Sequence, residues 1–217
     1  MKGQYAVIGL GRFGSSLATT LHQAGNEVLA IDRNEERIEE YKDHVTYAVV
    51  ADSTDEEALK SVGIRNFDAV IVAIGDDIQA SILTVLILKE LEVKKVVAKA
   101  INKRHGQVLY KVGADWVVFP ERDMGERVAT QLMSPNVLDY IELAKDYSIK
   151  EVKAPPSMIE KNLRELNLRA RFNITVIAII SDGKVSISPS PDRIIKEGDI
   201  LVVIGENKDL DQFEKFN

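Results

Sequence analysis

The sequence predicts an α/β protein, in which a Rossmann-like, doubly wound parallel sheet is followed by a smaller α+β C-terminal domain. Short runs rich in Val, Ile and Ala alternate with amphipathic stretches of helical period from Gln4 to Met133. A glycine-rich turn directly follows the first of these runs. After Ser134-Pro135 the alternation ends, and the later strands lack long crossovers. We therefore predict two domains, residues 1–134 and residues 135–217.

Six strands are expected in the first domain, each followed by helical sequence. They are predicted at YAVIG, EVLAID, YAVVAD, AVIVAIG, KVVAKA and WVVFP. Several are apolar throughout, which is typical of strands covered by helices on both faces. The helix predicted from Asp76 to Glu90 has a wider apolar surface than one sheet face needs. This surface indicates either a subunit interface or a deeply covered helix.

The second domain is expected to mix strands and helices without regular crossovers. Strands are predicted at YSIKEVKA, TVIAIISDG, KVSISP and DILVVIG, and helices around IEKNLREL and NKDLDQFEKF. The segment SDGK is typical of a hairpin turn between two of these strands. A domain of roughly 80 residues buries only a modest core, so pairing with a second copy would stabilise it.

Composition argues against several classes of function. The chain has 28 Lys and Arg against 34 Asp and Glu, a net charge of -6, which argues against a nucleic-acid partner. It has no cysteine, so it offers no disulfide, thiolate metal site or cysteine nucleophile, and the cytoplasm is the expected compartment. No apolar run is long enough to span a bilayer. We expect no direct membrane insertion, although a membrane protein could be the partner.

The turn after the first strand carries the spacing G-x-G-x-x-G at Gly9, Gly11 and Gly14. In dinucleotide-binding folds these glycines permit a tight turn, close approach of a phosphate and close packing of the helix on the sheet. Asp32 ends the second strand, where a carboxylate accepts hydrogen bonds from ribose hydroxyls and disfavours a 2′-phosphate. The spacing predicts a nucleotide site. The alternative is a glycine turn with a purely structural role.

Further candidates follow from the position of Arg12 inside the turn. A guanidinium beside a helix N-terminus suits an additional phosphate, which favours a mononucleotide; alternatively, Arg12 lies on the surface or pairs with an acid of a neighbouring subunit. Ligands of such sheets bind at the carboxyl ends of the strands. The cofactor-binding candidates besides the three glycines and Asp32 are therefore Arg12, Phe13, Arg33, Asp52, Ser53, Ile74, Gly75 and Lys99.

Two of the charged candidates have alternative roles. Lys99 is a candidate cation for a second phosphate, or a solvated lysine at a strand end. Glu121 could bind a divalent ion as a hard oxygen ligand, or could be a helix-start carboxylate that interacts with the helix dipole.

Catalytic groups are sparse in the sequence. The three histidines, His22, His44 and His105, have no obvious orienting partner, and no nucleophile elbow, phosphate loop ending in Gly-Lys-Ser/Thr or metal-binding histidine pair is present. We therefore predict a regulatory protein rather than an enzyme. The alternatives are an NAD-dependent oxidoreductase, which makes NAD(H) a less favoured ligand, and a free-standing nucleotide sensor.

Several separated segments resemble one family. YAVIGLGRFGSSLATTLHQAGNEVLAIDRNEERI, ADSTDEEALKSVGI, DAVIVAIGDDIQASILTVLILKEL and GADWVVFPERDMGERVA are similar to the regulator of potassium conductance (RCK) N-terminal domain of Ktr- and Trk-type potassium uptake systems. The remainder resembles the companion TrkA-C-like C-terminal domain. The resemblance implies a homo-octameric ring, a tetramer of dimers, that lies at the inner face of the plasma membrane on a membrane-embedded potassium-translocating subunit. ATP favours the active ring in that family, and ADP the inactive one.

The resemblance also implies roles for individual residues. Phosphate contacts fall on the Gly9 to Gly14 turn, on Arg12 across a dimer interface and on Lys99, and the ribose contact falls on Asp32. The family's divalent cation, Mg²⁺ or Ca²⁺, falls on Glu121. Relatives bind cyclic di-AMP as an inhibitory signal at the C-terminal domain. The residues of this chain that match that region are Arg169, Asn173, Ile174 and Pro189.

Overall fold

The structure is a computed structural model that describes residues 2–133 and 137–215. The chain divides into two compact units, Met1–Met124 and Gly125–Asn217. The predicted domain boundary at Ser134-Pro135 lies outside the described residues. No helix in the described ranges is long and apolar enough to cross a membrane.

Unit 1 is a six-stranded parallel sheet with the strand order β3-β2-β1-β4-β5-β6. The strands are β1 Gln4–Ile8, β2 Glu27–Asp32, β3 Tyr47–Val50, β4 Ala69–Val72, β5 Val96–Lys99 and β6 Trp116–Val118. The helices are α1 Arg12–Gln23, α2 Glu35–Tyr41, α3 Glu56–Ser61, α4 Ile78–Glu90, α5 Lys103–Lys111 and α6 Pro120–Met133. The order reverses at β1 and β4, so the prediction of a doubly wound parallel sheet is confirmed.

Apolar layers cover both faces of this sheet because successive apolar residues of its strands point to opposite faces. Ala6 and Ile8 of β1 face one buried cluster, and Val7 between them faces the other. Four of the crossover helices begin at side chains that accept backbone N–H groups, which fixes where the strand-to-helix loops end. These residues are Asn34, Asp55, Asp77 and Asn102.

Helix α4 is not covered on all sides. Its inner face buries Val85 and Leu88, whereas Ile78, Leu83 and Leu86 each remain between 38 and 41% exposed. Of the two alternatives drawn from the sequence, this exposure favours the subunit interface over the deeply covered helix.

Unit 2 contains a five-stranded antiparallel sheet in the order β10-β9-β11-β8-β7, which confirms the predicted α+β class. The strands are β7 Val137–Ala144, β8 Tyr147–Lys153, β9 Thr175–Ser181, β10 Lys184–Ile187 and β11 Ile200–Glu206. The helices are α7 Leu163–Leu166, α8 Leu168–Phe172 and α9 Asn207–Glu214. Asp182 and Gly183 both have positive φ between β9 and β10, as a two-residue hairpin turn requires, so the SDGK prediction is confirmed. Strand β7 was not predicted from the sequence.

The core of unit 2 includes one charged contact. Ile179, Leu201 and Val203 of the sheet pack with Leu210 and Phe213 of α9. Beside them the ammonium of Lys150, on β8, lies 3.1 Å from Asp211 and 2.5 Å from Glu214. This contact joins the C-terminal helix to the sheet.

Candidate nucleotide-binding site

A cavity of about 440 Å³ opens at the carboxyl ends of the strands in unit 1, where doubly wound sheets bind their ligands. Its lining contains most of the residues predicted from the sequence. These are Gly9, Gly11, Arg12, Phe13, Asp32, Arg33, Asp52, Ser53, Ile74, Gly75, Lys99 and Glu121. The structure thus brings together residues from six strand ends and loops. Gly14 is not part of this lining.

The glycine turn is shaped by two close approaches. Gly9 has φ +95°, which only glycine adopts readily, and its N–H donates to the Ile31 carbonyl at 2.7 Å. A Cβ at Gly14 would lie 1.8 Å from the Gly9 carbonyl oxygen, so Gly14 permits the packing of α1 on the turn. At Gly11 a Cβ would meet nothing within 4 Å. Gly11 therefore leaves space for a ligand rather than for a neighbouring residue.

The N-terminus of α1 faces the cavity. Gly11 caps the helix without a side-chain hydrogen bond, and the first turn contains no acidic residue. The first intrahelical hydrogen bond is the one that Ser15 N–H donates to the Gly11 carbonyl. The earlier N–H groups have no acceptor within the helix, and the helix dipole adds positive potential there. This geometry suits a diphosphate.

Asp32 is buried at the end of β2 and supports the turn. Its carboxylate accepts the N–H of Leu10 at 2.6 Å and the N–H of Asn34 at 2.9 Å, and the Arg37 guanidinium lies 3.5 Å away. A carboxylate has lone pairs beyond these, so Asp32 can still accept from a ribose hydroxyl. Neither the support that Asp32 gives to the turn nor the presence of Arg37 in the lining was predicted from the sequence.

Other polar groups line the same end of the cavity. Asp52 accepts the N–H and the hydroxyl of Thr54 at 2.9 and 2.7 Å, and these hydrogen bonds hold the pKa of its carboxyl below the ordinary value. Ser53 is buried, and its hydroxyl lies 2.8 Å from the Thr84 hydroxyl. The hydroxyl of Ser53 therefore has a partner within the chain. Arg33 pairs with Asp77 across the cavity lining at 3.4 Å; Asp77 was also missed.

At the opposite end, Lys99 and Glu121 form an ion pair with 2.6 Å between the ammonium nitrogen and a carboxylate oxygen. The hydrogen bond from Lys99 holds the pKa of Glu121 below its ordinary value. The ammonium also lies 6.0 Å from the centre of the Phe13 ring. Within the described ranges no three His, Asp or Glu side chains are grouped so that they could hold a metal ion. Glu121 would therefore need ligand atoms from elsewhere to bind a cation.

The histidines lie elsewhere. His44 is exposed, and His22 is half-buried with its Nδ1 3.4 Å from the Thr46 hydroxyl. His105 is buried at the start of α5, where its Nδ1 accepts the Ile101 N–H at 3.4 Å, and burial lowers its pKa. The described lining of the cavity contains none of the three.

The residues predicted for cyclic di-AMP lie in unit 2. Arg169 and Asn173 are joined at the end of α8 by the hydrogen bond from the Asn173 N–H to the Arg169 carbonyl, and the Asn173 amide donates to Asp209 at 2.9 Å. Ile174 follows directly, but its side chain is fully buried in the core. Pro189 is half-buried two residues beyond β10.

Fold and site together define a doubly wound nucleotide-binding domain joined to an α+β unit. The TrkA-N domain family matches residues 5–120, and the TrkA-C domain family matches residues 150–217. The chain therefore belongs to the Ktr and Trk family of potassium uptake regulatory proteins, built on RCK domains.

Three relatives illustrate the match. The chain is 49% identical to Ktr system potassium uptake protein A of Bacillus subtilis over 211 residues, which are 97% of this chain and 95% of the relative. It is 49% identical to protein C of the same system and organism over 215 residues, covering 99% and 97%. A solved structure titled GsuK channel bound to NAD aligns with a TM-score of 0.54 and 26% identity, covering 99% of this chain and 38% of that one.

Proposed function

We propose that the chain is the cytoplasmic regulatory subunit of a bacterial potassium uptake system, and that ATP and ADP in the cavity of unit 1 switch it between an active and an inactive state. The alignment along nearly the whole of two Ktr system potassium uptake proteins supports the transport role. The subunit acts at the inner face of the plasma membrane through a potassium-translocating membrane partner. It gates that partner and catalyses no reaction of its own.

The observation that carries the nucleotide part is Arg12, which lines the cavity at the uncapped N-terminus of α1. The helix N–H groups and the Lys99 ammonium suit the diphosphate that ADP and ATP share, and the Arg12 guanidinium adds positive charge for a further phosphate. Asp32 supplies the ribose acceptor at the other end of the cavity. ATP then differs from ADP by the contact of its terminal phosphate with Arg12. Only such a difference in affinity for the two states can shift the equilibrium between them.

A divalent cation, Mg²⁺ or Ca²⁺, is part of this proposal at Glu121. Its carboxylate lines the cavity on the same side as Arg12 and Lys99, so phosphate oxygens of a bound nucleotide would supply further oxygen ligands. The Lys99 ammonium donates to Glu121 Oε1, so a cation that binds at this oxygen would have to displace it.

We propose that the subunits form a homo-octameric ring of four dimers. The apolar outer face of α4, made of Ile78, Leu83 and Leu86, supports a contact between subunits. A cyclic di-AMP site in unit 2 remains part of the proposal at Arg169, Asn173, Ile174 and Pro189. Of these, Arg169 and Asn173 are exposed, whereas Ile174 would act by shaping the backbone beneath the ligand.

NAD(H) is the second candidate ligand. A solved structure of the GsuK channel bound to NAD shares the fold at 26% identity. A glycine turn together with Asp32 at the end of β2 also suits a dinucleotide. Arg12 distinguishes the two ligands, because a dinucleotide has no terminal phosphate for it to contact.

The test is calorimetric titration of the nucleotide-free protein with ATP, ADP and NADH, with the mass measured by light scattering. We expect ATP and ADP to bind to a ring-sized assembly. Arg12→Ala should weaken ATP binding about tenfold more than ADP binding, a difference of about 1.4 kcal/mol. Arg65→Ala is the control, because Arg65 is an exposed arginine paired with Glu92 and is not among the residues that line the cavity. Equal losses for the two nucleotides would remove Arg12 from the terminal phosphate, and binding of NADH alone would favour the second ligand.

A further inference from the structure

Helix α6 begins in the nucleotide cavity and ends outside unit 1. It spans Pro120–Met133, Glu121 of its first turn lines the cavity, and the division between the two units falls inside it, after Met124. Residues 121–129 are all exposed. A contact of the first turn therefore restrains the start of the segment that leads into unit 2, together with the packing of the Arg122 guanidinium 4.2 Å from the centre of the Phe119 ring.

The Lys99–Glu121 pair is one such contact. Lys99 ends β5 and is only 12% exposed, whereas Glu121 is 64% exposed. A Cβ at Gly75 would lie 3.2 Å from the Lys99 ammonium, so the lysine occupies a confined position between the glycine, Phe13 and Glu121. The two partners differ in what they lose on separation. Glu121 returns to water at little cost, but a buried ammonium needs another anion.

A nucleotide phosphate would supply that anion. The phosphate-binding side of the cavity, with Gly11, Arg12 and Phe13, shares its lining with Lys99 and Glu121. A polyphosphate carries several negative charges, whereas Glu121 carries one, and the exposed carboxylate is the weaker competitor in water.

We propose that Lys99 is the positioning residue that transmits phosphate binding to α6: its ammonium holds Glu121 and the first turn of α6 when the cavity is empty, and a nucleotide phosphate displaces Glu121 from it. This inference rests on the proposed nucleotide function. A contact between Lys99 and a phosphate would by itself only hold the nucleotide. The Lys99–Glu121 pair in addition couples phosphate binding to the first turn of α6. When no divalent ion is bound, the nucleotide changes the restraint on α6 through Lys99 and not through a direct contact with α6.

The experiment is amide hydrogen exchange of the full-length protein over residues 119–126, with and without ADP or ATP, in excess EDTA so that no divalent ion bridges Glu121. In the wild-type protein we expect exchange in the first turn of α6 to rise about threefold when nucleotide binds, the effect of losing one partly exposed ion pair. Calorimetry on the same samples reports binding separately. Binding of nucleotide without any change in exchange would overturn the inference and leave the proposed function standing. Absence of binding would overturn both.

Two variants separate this role from ordinary stabilisation. Lys99→Met should show the faster exchange already without nucleotide, and no further rise with it. Glu121→Gln should bind ADP about threefold more tightly in EDTA, because the lysine no longer has a charged competitor. Lys89→Met is the matched control, because it breaks the Lys89–Asp115 ion pair of the same unit. Neither residue lines the cavity, so the substitution should change neither the exchange in α6 nor the affinity for ADP. Weaker ADP binding by Glu121→Gln would contradict the proposal that a phosphate replaces Glu121 as the partner of Lys99.

Discussion

Two lysines in this chain form similar ion pairs in different surroundings. Lys99 of unit 1 and Lys150 of unit 2 both lie on strands, are 12 and 11% exposed, and face carboxylates of a later helix. Around Lys150, Glu214 is only 12% exposed and apolar residues of the core lie beside the pair. Around Lys99, the carboxylate is largely exposed and a cavity lies beside the pair.

The two pairs are the same kind of contact, but they differ in the access of the carboxylate to water and of the lysine to a cavity. We infer that this access separates a structural ion pair from a functional one. The Glu214 side chain is only 12% exposed, so its carboxylate would be poorly hydrated without Lys150. Burial alone would lower the pKa of Lys150, but the hydrogen bonds that its ammonium donates to Glu214 and Asp211 outweigh burial and raise the pKa. Glu121 can exchange Lys99 for water, and Lys99 can exchange Glu121 for a phosphate. Substitutions at the two lysines should therefore affect different properties.

The largest effect is expected for Lys150→Met. The substitution leaves the buried carboxylate of Glu214 without a counter-charge, which should lower the free energy of unfolding of unit 2 by about 3 kcal/mol. Urea unfolding of the full-length protein, followed by a probe in unit 2, measures it. Replacing Lys150 and Glu214 together by Met and Leu is the control and should recover most of the loss. If Lys150→Met is as stable as the wild-type protein, the pair is not structural and the comparison fails.

A smaller effect, on binding instead of folding, is expected for Lys99→Met. Glu121 is already hydrated, so the free energy of unfolding should change by less than about 1 kcal/mol. Loss of one charged phosphate contact should weaken ADP binding about tenfold. Calorimetric titration and urea unfolding of the same preparation measure the two quantities. A large loss of stability with unchanged binding would place Lys99 in the same class as Lys150.

Local patterns explain which parts of this arrangement were predictable. The strands of unit 1 and the turn from Gly9 to Gly14 follow from short-range spacing, and most of the predicted site residues line one cavity. Strand β7 was missed because Ser134-Pro135 indicated a boundary, and because pairing of β7 with β8 is irregular in register. The pairing of Lys99 with Glu121 was missed because it joins residues from two different strand ends, which depends on the register of β5 with β6.

The smallest effect concerns pH, and it extends the comparison to a buried group outside the cavity. Burial lowers the pKa of His105 below its ordinary value of 6.5, because the protonated ring is poorly solvated in unit 1. As the pH falls below about 6.5, the unfolded chain takes up a proton that the folded chain does not. The free energy of unfolding of unit 1 should therefore decrease from neutral pH down to the pKa of the folded state, by less than about 1 kcal/mol.

All three histidines of the sequence lie in unit 1, so this dependence should be absent from unit 2, where the raised pKa of Lys150 keeps its ammonium charged through the same range. His105→Asn keeps an acceptor for the Ile101 N–H and removes the titrating ring, and should flatten the dependence. His44→Asn, at an exposed position, is the control and should retain it. Unfolding titrations between pH 5 and pH 8 measure the slope. A slope that survives His105→Asn unchanged would show that another group of unit 1 takes up the proton, because linkage requires the proton difference to disappear with the group that carries it.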